Sequence, residues 1–362
     1  EGRFYADRGL VHEDARGNVA RFEVGGRLFE GLRQRLEPVM ELWATWGALR
    51  RESYLQWAEA AFEAAFGGER EVSVARFVRA LALAEEADPG APGSGRQLME
   101  FERGLRELYR STARDPGGRI ALAPARLDAV LSRFRRGEPG TVVSPDMMIE
   151  AGSLEAIRRG DCRIVIGEVH GGFQIWSCGL RFYPGRDRLG EALVDALRAP
   201  PGGVIVKLLP GRSGGKAFEL EPPVMALEYG SRSASARGGS LPASRAVVRR
   251  GERGLELIDR SSGSRLYLFP TAFPDPLSRC FGLPSGYYSA VSLGGYTPRV
   301  EVDGVVVQRE RWEVQAPRLL GSLPSERNGL GLLRWASGLR RRFGWPERAF
   351  VRVPGEPKPF YV

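Results

Sequence analysis

Residues 141–182 read TVVSPDMMIEAGSLEAIRRGDCRIVIGEVHGGFQIWSCGLRF, and the reading of this stretch decides the fold class. Ser153-Leu154-Glu155-Ala156-Ile157 predicts a capped helical turn, because a serine hydroxyl accepts a backbone N–H that a helix start leaves free. Gly160-Asp161 is the turn that follows. Residues 162–167, CRIVIG, form a β-branched run bounded by turn residues and too short for a helix, which predicts a buried strand. Glu168 and His170 stand two apart just past it, so extended backbone puts both on one face. Convergent polar groups at a strand end are a common arrangement for a site in a mixed helix-and-sheet protein.

Upstream of this stretch the pattern is helical. Leu28, Leu32, Leu36, Val39, Leu42 and Trp46 recur at spacings of three or four, and Tyr54, Trp57, Ala58, Phe62 and Phe66 continue the stripe after a break. Further helices are predicted over 72–87, 97–114 and 127–136, with the loop DPGAPGSG at 88–95 between the first two. Two short strands are expected within residues 1–25. Downstream, a helix is expected over 187–197, a strand over 204–209, and short alternating runs over 224–229, 245–250, 255–259 and 266–269 that read as antiparallel sheet. Residues 270–295 read as a long ordered loop. Strands over 299–302 and 305–308 are joined by Asp303-Gly304, a favoured two-residue hairpin turn. A last helix over 330–343 precedes closing strands. The predicted class is α+β, in three sections: 1–140 mainly helical, 141–215 α/β, and 216–362 antiparallel β-rich with a late helix.

The chain has 362 residues and a formal charge of +9, carried almost wholly by arginine; the lysines are Lys207, Lys216 and Lys358. Its planar fork suits arginine to phosphate and carboxylate, and a positive, arginine-rich surface suits RNA. No apolar run is long enough to span a bilayer. Cys162, Cys178 and Cys280 have spacings that fit neither a disulfide framework nor a metal cage and read as reduced thiols. The starting Glu1 and the ending on a strand read as a piece of a longer polypeptide.

Several chemistries lack their residues. The only histidines are His12 and His170, so His12-Glu13 is no zinc motif. Gly282-Leu283-Pro284-Ser285-Gly286 is not the nucleophile elbow of a serine hydrolase. Residues 210–217, PGRSGGKA, have the wrong glycine spacing for a phosphate loop, and Ala217 stands where a magnesium-binding hydroxyl belongs. What remains is a reaction whose activated group arrives with the substrate.

Three segments in order carry a resemblance. The first is SPDMMI…LEAIRRGD…RIVIGEVH within 144–170. The second is YTPRVEVDGVVVQRERW at 296–312, and the third is PERAFVRVPGEPKPFYV at 346–362. Together they resemble the lantibiotic dehydratases, in the C-terminal half of their large N-terminal glutamylating domain; the likeness is good from Thr141 to Val362 and impressionistic before. The resemblance implies an enzyme that transfers glutamate from glutamyl-transfer RNA to serines and threonines of a ribosomally made precursor peptide, leading to dehydroamino acids. It implies a cytoplasmic setting, charged transfer RNA as co-substrate with no other cofactor, and a cyclase as a further partner in a biosynthetic complex. It leaves two alternatives: a transfer-RNA-dependent peptide aminoacyl ligase, or a non-catalytic peptide- or RNA-binding scaffold.

Glu168 and His170 are the expected acid–base pair for deprotonating the incoming hydroxyl, against a purely structural role for the histidine. Arg299 matches the family's Pro-Arg position and is expected at the catalytic centre, with pairing to a sheet-edge carboxylate as the alternative. Arg181, Arg309, Arg311 and Lys358 are the expected RNA- or phosphate-binding residues. Arg309 and Arg311 fall on one face by alternation with Trp312 opposite, and Lys358 alternatively pins the terminal strand.

Overall fold

The computed structural model describes residues 25–90, 94–134, 141–172, 185–197, 199, 202–209, 222–233, 238–252, 254–271, 275–315, 317, 319, 321–323, 328–347, 350–351 and 360–361. The strands expected within 1–25, and the residues Arg181 and Lys358, lie outside them.

A single 41-residue helix, α1 (Gly26–Phe66), is the axis on which the described fold is built. The stripe that the sequence broke near residue 50 is continuous, and it changes partner along its length. Val39, Leu42, Trp43, Trp46 and Leu49 enter one apolar core, and Tyr54, Ala58, Phe62 and Phe66 enter another. Each fully buried side chain of this size is worth about 1.5–3 kcal/mol of transfer free energy, so both ends of the helix are anchored.

After α1 come β1 (Glu71–Ser73), α2 (Val74–Ala87), α3 (Arg96–Ser111), β2 (Ile120–Leu122), α4 (Pro124–Leu131), β3 (Ser144–Glu150), α5 (Leu154–Arg159) and β4 (Arg163–His170). Then follow α6 (Arg186–Ala196), β5 (Gly203–Leu209), β6 (Met225–Glu228), β7 (Ser240–Pro242), β8 (Ala246–Gly251), β9 (Gly254–Asp259), β10 (Arg265–Leu268) and α7 (Pro276–Phe281). The chain ends with β11 (Tyr296–Thr297), β12 (Val300–Val302), β13 (Val305–Gln308), β14 (Arg311–Trp312), α8 (Gly329–Phe343), β15 (Phe350–Val351) and β16 (Phe360–Tyr361). The architecture is α+β. Helix α7 occupies part of the stretch expected to be loop, and Asp275 caps it by accepting the N–H groups of Leu277 and Ser278.

The larger sheet has the order β1-β8-β9-β10-β5-β6-β7 and is mixed. Strands β8 and β9 form the expected antiparallel hairpin, but β10 and β6 both lie parallel to β5, as β7 does to β6. The antiparallel reading of 224–229 is therefore corrected, whereas 266–269 lies antiparallel to β9 as expected and parallel to β5 on its other side; alternation reports which face is buried and carries no information on strand direction. The smaller sheet has the order β2-β12-β13-β4-β3 and packs on the first half of α1 with α3 and α4. Its strands come from residues 120–122, 144–150, 163–170 and 300–308, so distant parts of the chain meet in one sheet. Asp303 (φ 47°) and Gly304 (φ 72°) make the tight turn that the Asp-Gly pair demands. Arg35 of α1 donates to both of their carbonyl oxygens, at 3.1 and 2.8 Å, which locks the hairpin onto the helix.

Candidate functional site at one rim of the smaller sheet

The connectivity of the smaller sheet gathers the site. Strands β13 and β4 are parallel, so their carboxyl ends share one rim. Strand β12 runs against β13 and β2 runs with β12, so both of these begin at that same rim. Arg119 precedes β2, Arg299 precedes β12, Arg309 follows β13, and Glu168 and His170 close β4. The opening residues of the edge strand β3, from Ser144, face the end of β4. With strands spaced about 4.8 Å apart, residues far separated in sequence converge over a few strand widths.

Strand β4 runs to His170, three residues further than the β-branched run indicated. The extension needs a bulge: Pro145 pairs with Val169 and Met147 with Ile166, so Gly167 and Glu168 together oppose Asp146. Ile164 and Ile166 face the core, and Val169 returns to it after the bulge. Glu168 and His170 flank Val169 and so share the other face, as the spacing predicts. The carboxylate within reach of the imidazole is nevertheless Asp146, whose Oδ2 lies 3.3 Å from His170 Nε2. The histidine side chain is only 12% exposed, whereas Asp146 is 64% exposed and Glu168 lies open to solvent. The arrangement is a half-buried imidazole oriented by a solvated carboxylate at a bulge.

Arg299 pairs with a carboxylate, as the alternative reading anticipated, but that carboxylate is on β12 inside the sheet and not at its edge. Glu301, one of the few buried charged residues described, receives Arg119 Nη1 at 3.3 Å, Arg163 Nε at 3.5 Å and Arg299 Nη1 at 3.7 Å. Asp115 and Glu150 hold the outer sides of Arg119 and Arg163, at 2.7 and 2.9 Å. The N–H groups of Arg119, backbone first and then guanidinium, keep the Asp115 carboxyl below its usual range. A buried carboxylate thus fixes arginines from three separate segments, and Arg299 has the longest ion pair of the three. Nothing local in the sequence signals this: Glu301 sits mid-strand in VEV, where a polar residue reads as solvent-facing.

Arg309 is exposed, and Arg311 pairs with Glu313 at 2.9 Å. Both arginines lie near the Tyr288 hydroxyl, whose pKa is pushed up by burial against the opposing pull of these two cations. In the ribbon β11–β14, Arg311 stands opposite Thr297 and Trp312 opposite Tyr296, so Arg311 and Trp312 occupy opposite faces as expected. The rim therefore assembles Glu168, His170, Arg299 and Arg309, together with Asp146, Arg119 and Glu301, which the sequence did not single out. Among the described residues no group of three His, Cys, Asp or Glu is placed to hold a metal ion, and no helix is long and apolar enough to cross a membrane.

The class defined by this geometry is an α+β protein with an arginine-lined sheet rim. No protein-family model matches the sequence, and no curated protein matches it. Solved structures do match. The glutamylation domain of TbtB, from thiomuracin biosynthesis, aligns over 92% of this chain and 44% of its own with 21% identity and a TM-score of 0.57. The same domain bound to 5'-phosphodesmethylglutamycin gives 22% identity, 93% and 43% coverage and a TM-score of 0.55. The transfer-RNA-dependent lantibiotic dehydratase MibB from Microbispora sp. 107891 gives 16% identity, 91% and 35% coverage and a TM-score of 0.58. The chain has the fold of these glutamylation and dehydratase enzymes, in agreement with the resemblance read from its motifs, and spans less than half the length of each matched chain.

Proposed function

We propose that this chain forms part of a glutamylating enzyme that moves glutamate from glutamyl-transfer RNA to a serine or threonine hydroxyl of a ribosomally made precursor peptide. The observation that carries the reading is the rim itself, where Arg299 and Arg309 stand with the His170–Asp146 pair on this fold. In the step, the peptide hydroxyl oxygen attacks the ester carbonyl carbon and the bond to the terminal ribose oxygen breaks. The new ester links glutamate to the peptide. His170 takes the hydroxyl proton and returns it to the departing ribose oxygen, while Asp146 orients the ring. Guanidinium groups at the rim offset charge on the carbonyl oxygen and hold phosphate and the glutamate carboxylate. Elimination of the glutamate belongs to a separate step outside these residues, and charged transfer RNA sets the reaction in the cytoplasm.

The test is binding of the purified chain to glutamyl-transfer RNA, to the uncharged RNA and to an unrelated RNA across a salt titration. A preference for the charged species that is lost in Arg299→Ala is the expected result. Equal and steeply salt-dependent binding to all three overturns the reading and leaves a generic electrostatic surface.

A further inference from the structure

Beside the rim, the ribbon β11–β14 presents two aromatic rings that the reaction above does not use. Tyr296 and Trp312 are directly paired across the ribbon with ring centroids 5.3 Å apart. Tyr296 is 36% exposed, following the exposed Gly294 and Gly295 and preceding the buried Thr297. A cross-strand aromatic pair helps to hold so short a ribbon, which accounts for the rings meeting each other. It does not account for what surrounds them.

Arg114 reaches the Tyr296 ring from a distant loop, with its guanidinium carbon 5.7 Å from the ring centroid. That loop is clamped: Asp115 N donates to Arg119 O at 2.9 Å, and the Asp115 carboxylate accepts both the backbone N–H and the Nε of Arg119 at 2.8 Å. Arg114 is therefore placed rather than free. On the other side, the Tyr296 hydroxyl meets Glu310 Oε2 at 3.3 Å, which fixes the ring in its plane. Arg299 is close enough for its charge, with that of Arg114, to act on the same hydroxyl. The surface thus offers two partly exposed rings, a guanidinium lying over one of them, a second arginine nearby, and the Glu310 carboxylate that accepts from the Tyr296 hydroxyl.

We infer that Tyr296 and Trp312 form a stacking platform for an unpaired nucleobase, with Arg114 and Arg299 holding the adjoining phosphates. Unstacked bases lie on aromatic side chains irrespective of sequence, and arginine follows the backbone. The inference rests on the proposed function, because the 3′ end of a transfer RNA is single-stranded and must reach Arg299 for its ester to react. The platform lies next to that arginine, so the terminal nucleotides occupy it while the ester enters the rim.

The test uses the full chain and a fluorescein-labelled single-stranded RNA hexamer ending in CCA, with a fully paired duplex of the same sequence as control. Trp312→Ala, where one base stack is worth about 1–3 kcal/mol, and Arg114→Ala, which removes a phosphate contact, are each expected to weaken hexamer binding about fivefold or more. Tyr296→Phe keeps the ring and is expected to bind within about threefold of the parent. Circular dichroism identifies any variant that has failed to fold, and Arg114→Ala, an exposed change, keeps the question open to refutation in that case. Unchanged hexamer affinity in folded Trp312→Ala and Arg114→Ala overturns the platform, even if charged transfer RNA still binds through Arg299. No preference of the parent for hexamer over duplex also overturns it. Loss of precursor-peptide binding in Trp312→Ala with RNA binding intact overturns it in favour of a peptide subsite.

Discussion

Asp259 in the larger sheet and Glu301 in the smaller one are both buried carboxylates facing arginine, and they are satisfied in opposite ways. Asp259 closes β9 and is served by its neighbours: the Ser261 N–H at 3.1 Å, the hydroxyls of Ser261 and Ser262 at 2.9 Å each, and Arg245 Nη2 at 2.8 Å. Glu301 draws its arginines from Arg119, Arg163 and Arg299, spread across some 180 residues. The first arrangement builds a turn. The second ties distant side chains together across the sheet, with Arg119 and Arg299 at the rim where the candidate site lies and Arg163 at the opposite end of β4, which is the task a functional site sets and a turn does not.

Removing the Glu301 charge is therefore the stronger way to break the comparison. Glu301→Gln leaves three guanidinium groups around a neutral amide, and losing one member of a buried charge cluster typically costs about 3–5 kcal/mol. The arginines are about a third exposed and recover some hydration, so the expected loss is about 2–4 kcal/mol, read as a lowered urea midpoint at unchanged slope. The same variant is expected to weaken charged-RNA binding, because Arg299 loses its anchor. A loss below about 1 kcal/mol with RNA binding intact means that Glu301 is no hub.

Asp259 provides the weaker and pH-dependent counterpart. Burial works to raise its pKa, but the Ser261 N–H, the Ser262 hydroxyl and Arg245 outweigh it and hold the carboxyl at about 2. The unfolded value is about 3.9, so the folded pKa is depressed. The stabilisation is accordingly complete above about pH 5 and is lost as the pH falls towards 2. Asp259→Asn retains an acceptor oxygen for the serine groups and is expected to cost about 1–2 kcal/mol at pH 7. Its stability is also expected to fall less than that of the parent between pH 5 and pH 2, which acid titration followed by circular dichroism measures. Equal steepness in both proteins would assign the acid sensitivity to other carboxylates.

The contrast also explains what the sequence could tell. Features settled within a few residues were legible: the Ser153 cap, the Asp303-Gly304 turn, the β8–β9 hairpin, and the Glu168 and His170 face of β4. Features settled by partners far along the chain were not. The parallel pairing of β5 depends on β6 and β10, which alternation cannot orient. Asp146 as the partner of His170 depends on β3, a strand that the run SPDMMIE hides behind a proline and exposed methionines. The Arg299 position was readable only through its likeness to a family motif, and its carboxylate partner two residues on was not read, because burial of a mid-strand glutamate requires three arginines that the sequence scatters.

The smallest change sharpens the comparison by asking whether the two sheets are one cooperative unit. Helix α5 joins β3 to β4 and lies against α1 without burying a residue, so its two caps carry much of its stability. Ser153 accepts the Ala156 N–H at 3.1 Å, and Gly160 at φ 85° closes the other end. Ser153→Ala is expected to cost about 1 kcal/mol. Because α5 buries no residue, that cost falls on local opening: amide exchange should quicken about fivefold in α5 and at the edge strand β3, with β8 and β9 unchanged. Helix α1 enters both cores, so a change that reached it would speed exchange on both sides. Quickening confined to α5 and β3 would show that the strand pair bearing His170 opens on its own, beneath a scaffold that α1 keeps closed.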